Sequence, residues 1–475
     1  MRYLILLLST ITFLTNAKAQ QSWNLRSVVE YAMANNITVK LSEVQARLAG
    51  INYKQGKLSQ FPNATFSGNT SLNSGSNQDP TNFGRITQTY LSAGMQLQSS
   101  AEIFNFFSKR NTIAANEWEL QATIANIAKL KSDIALTAAN AYLQILLAKE
   151  QQNITLVQVQ QTQALLSNTR KLVNAGALPE LNAAQQEAQL ASDSVNFITA
   201  KGNVTQAILT LKTYMNIDAA TPFEIDSPPV ESIPVETIAD LQPDYVYKLA
   251  LANQPLQRYN ELKLKAAEKN KQAARGSMYP TLSAFGSLGS GYNNKAREVI
   301  AVTPINAPLG SVSVSGTTYS VYPLQPFNSY TYGKTSFGNQ LSDNFRQSIG
   351  LSLNVPIFNG AALRSNYERS KVNISSLELM KAQDNQKLKQ DIYSAYNAAL
   401  IAYEKFNASA KLVEINERTF GFANRRFEVG MLGTYDLISS QNNLLRAKLE
   451  YSINHFDYVF KMKVLEFYKG LGLKL

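Results

Sequence analysis

Apolar residues along this chain are spaced with two different periods, and the changes from one to the other mark out the expected elements. Leu91, Ala93, Met95 and Leu97 alternate with Ser92, Gly94, Gln96 and Gln98, and Ile349, Leu351, Leu353 and Val355 alternate with Ser348, Gly350, Ser352 and Asn354. A period of two predicts strands with one apolar and one polar face. Shorter versions stand ahead of both: Phe66 and Leu72 among Ser67, Asn69 and Ser71, then Leu282, Ala284 and Leu288 in a setting rich in Gly and Ser. The spacing thus predicts two β-hairpins, over about 62–98 and 281–356, with four strands in all. Asn73–Gly84 and Asn293–Asn344 separate the paired strands and read as loops. About fifty residues is long for a loop, and Ser311–Tyr322 alternates enough to be a candidate for extra strand.

The helical period takes over after each hairpin. Ile103–Ala175 contains neither glycine nor proline, and its counterpart Ala361–Val429 has the single Gly421. At about 1.5 Å per residue the first of these reaches about 105 Å. Both end at a glycine, Gly176 and Gly430, and return helices are expected over Glu180–Met215 and Tyr435–Lys469. Long helical hairpins are therefore predicted over about 103–217 and 361–470. Their apolar positions are small or aromatic, as in Ile134, Ala138, Ala141, Tyr142 and Ile145, and again in Ile392, Ala395, Tyr396, Ala399 and Tyr403. Alanine lets helices approach closely in coiled-coil fashion. Shorter helices, Thr38–Gln60 and Leu256–Arg275, precede the hairpins and stop at Phe61-Pro62 and Tyr279-Pro280, because proline forces its predecessor into extended geometry.

This parallel order is a repeat. Ile103-Phe104-Asn105 matches Ile357-Phe358-Asn359, Ala141-Tyr142 matches Ala395-Tyr396, and Gly176 matches Gly430, each displaced by 254 residues. The first copy is placed at 20–217 and the second at 246–475, joined by a segment 218–245 that carries Pro222, Pro228, Pro229, Pro234 and Pro243 and reads as a linker with local order at most.

Residues 1–19 change the compartment. Met1-Arg2, an apolar run and Ala17-Lys18-Ala19 read as a cleavable secretory signal, too short for a spanning helix. The chain has no cysteine, so neither disulfides nor a lipidated N-terminal cysteine are available to it. Its formal charge of +11, or +9 once Arg2 and Lys18 leave, forms no basic cluster with interleaved aromatics, which argues against nucleic-acid binding. No later stretch has 18 uninterrupted apolar residues, so a membrane span has to be a closed β-barrel.

Together these features resemble the TolC-like outer membrane factors, over essentially the whole mature chain. Trp23-Asn24-Leu25 followed by Ala32 and Asn35-Asn36 is similar to the family's N-terminal helix. Val355-Pro356-Ile357-Phe358-Asn359-Gly360 is similar to its strand-to-helix junction, with Pro356, Phe358 and Asn359 at the centre, and Val429-Gly430 with Asp436 to its periplasmic helical turn. The resemblance implies a mainly α fold with four strands per chain. Three chains would complete a twelve-stranded transmembrane barrel, continued by an α-barrel across the periplasm. It also implies a homotrimer in outer membrane lipid, working with a periplasmic adaptor (membrane fusion) protein and an inner-membrane transporter of an efflux pump or type I secretion system. Four strands from one chain can neither close a barrel nor hide their edges.

The same resemblance places Gly176 and Gly430 at periplasmic tips that form the aperture and meet the adaptor. Asp436 then has two readings: one member of an anionic ring around the axis, or an acid that stabilises the first turn of its helix. Ser439 stands where the family often has a second acid, and Asn182 is the equivalent of Asp436 in the first copy. Catalytic chemistry is not expected, nor any cofactor or metal. The single histidine, His455, lies among Phe456, Tyr458 and Phe460 and reads as a packed or interfacial ring, and Gly286–Gly291 lacks the lysine and helix start of a phosphate loop. The competing reading is a periplasmic or surface coiled-coil protein that binds partners, which fits the helices and leaves the amphipathic strands without a purpose.

Overall fold

The computed structural model describes residues 23–78, 83–227, 229 and 233–470. The signal expected at residues 1–19 lies outside them. The chain divides into two compact units: Tyr53–Ala114 with Lys269–Lys371 form the sheet unit, and the described residues outside those segments form the helical unit.

Helices α1 (Leu25–Asn35) and α2 (Ile37–Leu58) lead to strands β1 (Asn63–Gln78) and β2 (Arg85–Phe104), then to α3 (Ser108–Asn174) and α4 (Glu180–Met215). After a short 3-10 turn at Ile238–Leu241, the order recurs as α5 (Pro243–Asn253), α6 (Pro255–Gly276), β3 (Thr281–Asn293), β8 (Arg346–Asn354), α8 (Ala362–Glu428) and α9 (Thr434–Tyr468). Between β3 and β8 lie β4 (Arg297–Ile305), β5 (Gly310–Val314), β6 (Thr317–Val321), β7 (Phe327–Lys334) and the short α7 (Phe337–Asp343).

The four strands expected per chain form one sheet, and the 293–344 segment, where Ser311–Tyr322 is the candidate for extra strand, adds two hairpins, β4–β7 and β5–β6. Two boundaries are corrected. The first loop is far shorter than Asn73–Gly84, because Asn73–Gln78 pair with Arg85–Tyr90. Their Asn, Gly and Ser residues are strand residues on a polar sheet, a composition that imitates a loop. Strand β2 also persists to Phe104, and the long helix starts at Ser108 rather than Ile103. Loss of a glycine or proline signal there hid a turn made by aromatic residues.

Backbone geometry repeats more faithfully than sequence. Among the described residues, Phe106 and Gly360, Phe107 and Ala361, Gly176 and Gly430, and Asn216 and Gly470 all have positive φ, and each pair is displaced by 254. The others, Phe83, Ser315 and Gly316, lie in hairpin connections. Ahead of the sheet the displacement is 218: Val28 and Ala32 of α1 occupy the buried positions of Val246 and Ala250 of α5. The difference, 254 − 218 = 36 residues, is an insertion between β3 and β8.

In the helical unit two cores follow this repeat. Val28, Val29 and Ala32 pack with Ala138, Tyr142 and Ile145 of α3 and with Leu211 and Met215 of α4. Val246 and Ala250 pack in the same way with Leu388, Ile392 and Ala399 of α8 and with Met462 and Leu465 of α9. The amide of Asn36 donates to the Tyr214 carbonyl at 2.9 Å and that of Gln254 to the Tyr468 carbonyl at 3.2 Å, each closing off a helix end that would leave carbonyls unsatisfied.

The proline-rich segment is more than a tether. Its Ile225 is buried and bridges Trp23, whose N–H donates to the Glu224 carbonyl. Trp23 also stacks on Phe223, and the Tyr142 hydroxyl donates to the Asp226 carbonyl at 2.6 Å. Burial, reinforced by the charge of Asp226, pushes the Tyr142 phenol up to about 12.

Candidate functional site

In the sheet unit the strands run antiparallel in the order β1-β2-β3-β8. Residues directly opposite share a face, so the register sorts the side chains. Phe66, Leu97 and Leu288 fall on one face with Leu72, Leu91, Met95, Ile349, Leu351 and Leu353. Ser67, Gln96, Ser71, Ser92, Ser287 and Ser348 fall on the other, where Ser71 meets Ser92 at 2.8 Å and Ser287 meets Ser348 at 2.8 Å. The apolar face is exposed across all four strands. In water that arrangement is costly, whereas outward apolar and inward polar alternation is what a barrel in lipid requires. No helix among the described residues is long and apolar enough to cross a membrane.

The strand-to-helix junctions carry a pair of left-handed residues each. In the first copy these are Phe106 and Phe107 at φ 47° and 62°, and in the second Gly360 and Ala361 at 64° and 63°. Bulky residues in this region cost about 1–2 kcal/mol each, and the first junction is held by its surroundings. Phe106 stacks on Tyr279 at 4.8 Å and packs on Phe104 at 4.9 Å. The Ser108 hydroxyl reaches Ser277 at 2.8 Å, and Gly276 lies so close that a Cβ there would sit 2.8 Å from the Phe106 carbonyl oxygen. Pro356, Phe358 and Asn359 lie between β8 and α8, with Phe358 exposed and the Asn359 carbonyl accepting from Ala362 N–H at 3.3 Å.

In the helical unit, Gly176 and Gly430 terminate α3 and α8 in one and the same way. The N–H of Gly176 reaches the Val173 carbonyl and that of Ala177 the Leu172 carbonyl, while Gly430 and Met431 reach Phe427 and Arg426. These paired bonds satisfy the last carbonyls and need φ near +74° and +73° at the glycines. Asp436 lies exposed in the first turn of α9 with a carboxylate oxygen turned back toward Gly433. Its acid therefore faces the positive end of the helix dipole. Ser439 is exposed one turn on, and Asn182 is half-buried in the first turn of α4.

A buried polar seam that the apolar pattern does not include lies near these turns. Asp193 of α4, 1% exposed, accepts from Thr162 at 2.7 Å, Gln189 at 2.8 Å and Gln158 at 3.5 Å. Gln441 of α9 donates to Thr162 at 3.2 Å, and Gln189 and Asn442 exchange bonds at 3.2 and 3.3 Å. A signal existed: Ala183, Gln186, Leu190 and Asp193 are spaced by alternating threes and fours, so Asp193 occupies a coiled-coil seam position. Gln186 is fully buried with both amide atoms unpartnered, as are Gln441 Oε1 and Thr434 Oγ1. The seam thus passes from Tyr142, Ile145, Leu211 and Met215 to a partly satisfied polar set toward Gly176 and Gly430. Such packing is weaker than an apolar core.

His455 is buried and stacks on Phe406 at 4.5 Å. No group of three side chains with metal-ligating spacing is present among the described residues.

Comparison with known proteins agrees with this geometry. Residues 28–216 and 246–454 match the model of the outer membrane efflux protein family. The toluene efflux pump outer membrane protein TtgC of Pseudomonas putida is 21% identical over 447 residues, covering 91% of this chain and 81% of that one. The outer membrane efflux protein BepC of Brucella suis is 22% identical over 439 residues, covering 91% and 82%. The CmeC outer membrane channel of Campylobacter jejuni has the same fold, with a TM-score of 0.72 at 18% identity over 94% of this chain and 86% of that one. The chain belongs to the outer membrane efflux protein family.

Proposed function

We propose that three copies of the chain close into one outer-membrane exit duct, and a contact made once within the chain and left open once carries this reading. In the helical unit Trp118, Ala122 and Ala125 of α3 pack with Tyr259 and Leu262 of α6. A displacement of 254 takes Trp118 and Ala125 to Val372 and Leu379, and one of 218 takes Tyr259 and Leu262 back to Leu41 and Val44. These four equivalents are 69%, 71%, 59% and 59% exposed. In the sheet unit, Ser108 and Ser277 correspond to Ala362 and Ser59, both exposed, and strands β1 and β8 each have an open edge. Each chain therefore offers both halves of a missing contact. Head-to-tail contacts of this kind generate a ring when the rotation closes. Three chains of four barrel strands make twelve.

In that assembly the apolar sheet face meets lipid. Phe104, Phe106, Phe107 and Tyr279, at the helix-side ends of the strands, supply the aromatic belt of a membrane–water interface. The duct lowers no chemical barrier and gives small solutes a solvated path outward. Energy comes from an inner-membrane transporter through a periplasmic adaptor, for which Leu181, Val429, Met431 and Tyr435, all exposed around the helical turns, are the contact surface. Asp436 lines the aperture beside Ser439, with one acid per chain. A soluble coiled-coil role would leave the apolar sheet face in water.

The test uses the absence of native cysteine. A chain carrying Ser59→Cys and Ala362→Cys, oxidised in outer membranes, should run as linked oligomers up to the trimer on a non-reducing gel, and the purified trimer should conduct in planar bilayers. Monomers throughout, with no conductance, would overturn the assembly.

A further inference from the structure

The 36-residue insertion between β3 and β8 has no counterpart in the first copy, and it presents a surface that the single chain leaves bare. Within it, Val299–Gly333 contains no charged residue; Arg297, Glu298 and Lys334 stand only at its ends. Strands β4 and β7 pair with each other alone, as do β5 and β6, so every strand of the insertion has an open edge. β4 carries the usual protection of such an edge, an irregularity between Val299 and Ala301 and a proline at 304. β5 and β6 carry neither proline, bulge nor charge.

The β5–β6 hairpin is also two-faced. It turns through Ser315 and Gly316, both at positive φ, the tight connection that matches strand twist. Its register sets Val312 opposite Tyr319, Val314 opposite Thr317 and Val321 opposite Gly310, so Val312, Val314, Tyr319 and Val321 share one face. Ser311 faces Ser320 and Ser313 faces Thr318 on the other. The four apolar side chains are exposed, together with Leu309, Tyr322 and Leu324 nearby. An isolated two-stranded hairpin with one apolar face is marginal in water. The four side chains of this face leave on the order of 400 Å² of apolar surface bare in one copy, so three copies together bring about 1,000 Å² to a shared contact, the lower end of the range for stable association.

We propose that this face is covered by the same face of the other two copies, so that three β5–β6 hairpins form a small apolar cluster at the end of the barrel farthest from the helix junctions. The inference rests on the trimeric reading. The chain itself favours a copy over a foreign partner on two grounds. The insertion leads through the short α7 into β8, the sheet strand whose outer edge is open and meets the neighbouring chain in the proposed ring. A homotypic contact around an axis brings identical residues together, where any ionised side chain would meet its own kind; a charge-free segment tolerates that, and it offers a foreign partner no charge to complement.

Single-cysteine chains separate the outcomes: Val312→Cys and Tyr319→Cys on the apolar face, and Ser320→Cys on the polar face. In purified trimer and on whole cells, a membrane-impermeant maleimide should label Ser320→Cys at least tenfold faster than Tyr319→Cys, and oxidation or a short bis-maleimide should join protomers through Val312→Cys or Tyr319→Cys. An intact trimer with equal labelling and no joined protomers would overturn the proposal. So would shielding of Tyr319→Cys that holds on cells and disappears in the purified trimer, since it would assign the face to another protein. Failure to obtain any trimer, including through the Ser59–Ala362 pair, would overturn the assembly itself and the cluster with it.

Discussion

Replacing glycine with alanine at four positions should change stability with opposite signs, because the four differ in backbone alone. A Cβ built at Gly176, Gly430, Gly202 or Gly421 meets nothing within 4 Å, so no clash or new packing enters. Gly202 and Gly421 lie inside α4 and α8 without positive φ, whereas Gly176 and Gly430 sit at φ +74° and +73°. In a helix interior alanine is favoured over glycine by about 0.5–1 kcal/mol; in the left-handed region a Cβ costs about 1–2 kcal/mol. Gly202→Ala and Gly421→Ala should therefore stabilise, and Gly176→Ala and Gly430→Ala should destabilise. The local readout is hydrogen exchange at the Ala177 and Met431 amides, which donate to the Leu172 and Arg426 carbonyls at 2.8 Å. Since about 1.4 kcal/mol is a factor of ten, these amides should exchange roughly 5–30-fold faster in the turn variants and unchanged in the helix variants. Asparagine at the turns should cost less, as it tolerates this conformation. Unchanged exchange at Ala177 in Gly176→Ala would show that the left-handed cap does not hold the chain reversal.

Other perturbations test the seam, the aperture and the core. Asp193→Ala removes the acceptor of Thr162, Gln189 and Gln158 and should cost about 3 kcal/mol, since buried donors are left unpaired; a denaturant midpoint within error of the parent would show the network to be idle. Asp436→Ala should weaken, without abolishing, block of single-channel conductance by divalent cations, because the acid stands alone in its turn and Asn182 holds the equivalent place; complete loss of block would show that the carboxylates alone close the aperture. The Tyr142 phenol is raised to about 12, above its ordinary value of about 10, so its stabilising effect is full below pH ~10 and is lost as pH rises toward ~12. Tyr142→Phe should flatten that part of a melting-temperature profile, and an alkaline decline as steep as the parent's would place its cause elsewhere.

How far the sequence was legible depended on which physical signal each element leaves. Long helices and their glycine turns were readable because Gly176 and Gly430 interrupt runs otherwise free of breakers, and β2 and β8 were readable because one face is apolar. The ends of β1 and β2 were not, since Asn73–Gln78 and Arg85–Tyr90 pair through backbone bonds that need no particular side chain. The Asp193 seam escaped for a different reason. A carboxylate at a coiled-coil position looks like an ordinary surface acid until three helices bring Thr162, Gln189 and Gln441 around it. Its equivalent in the second copy is the buried Ala447, so even the repeat gave no hint.

The junctions show why the two copies diverge where their backbones agree. Phe106 and Phe107 adopt left-handed geometry with neighbours from their own chain, namely Phe104, Tyr279, Gly276 and Ser277. Those contacts form as the chain folds and offset the strain of two bulky residues. In the second copy the corresponding neighbours, the end of α2 with Ser59, belong to the next chain in the proposed ring. That junction must hold its conformation before any partner arrives. Gly360 does so without steric cost at one of the two positions, and Ala361 adds no large ring that would need covering. Pressure for this difference exists only if the second contact is intermolecular, so Gly360→Phe should leave the folded chain largely intact and slow trimer assembly, whereas Phe106→Gly should leave assembly nearly unchanged. Equal effects on assembly rate from the two substitutions would remove this reason for the asymmetry.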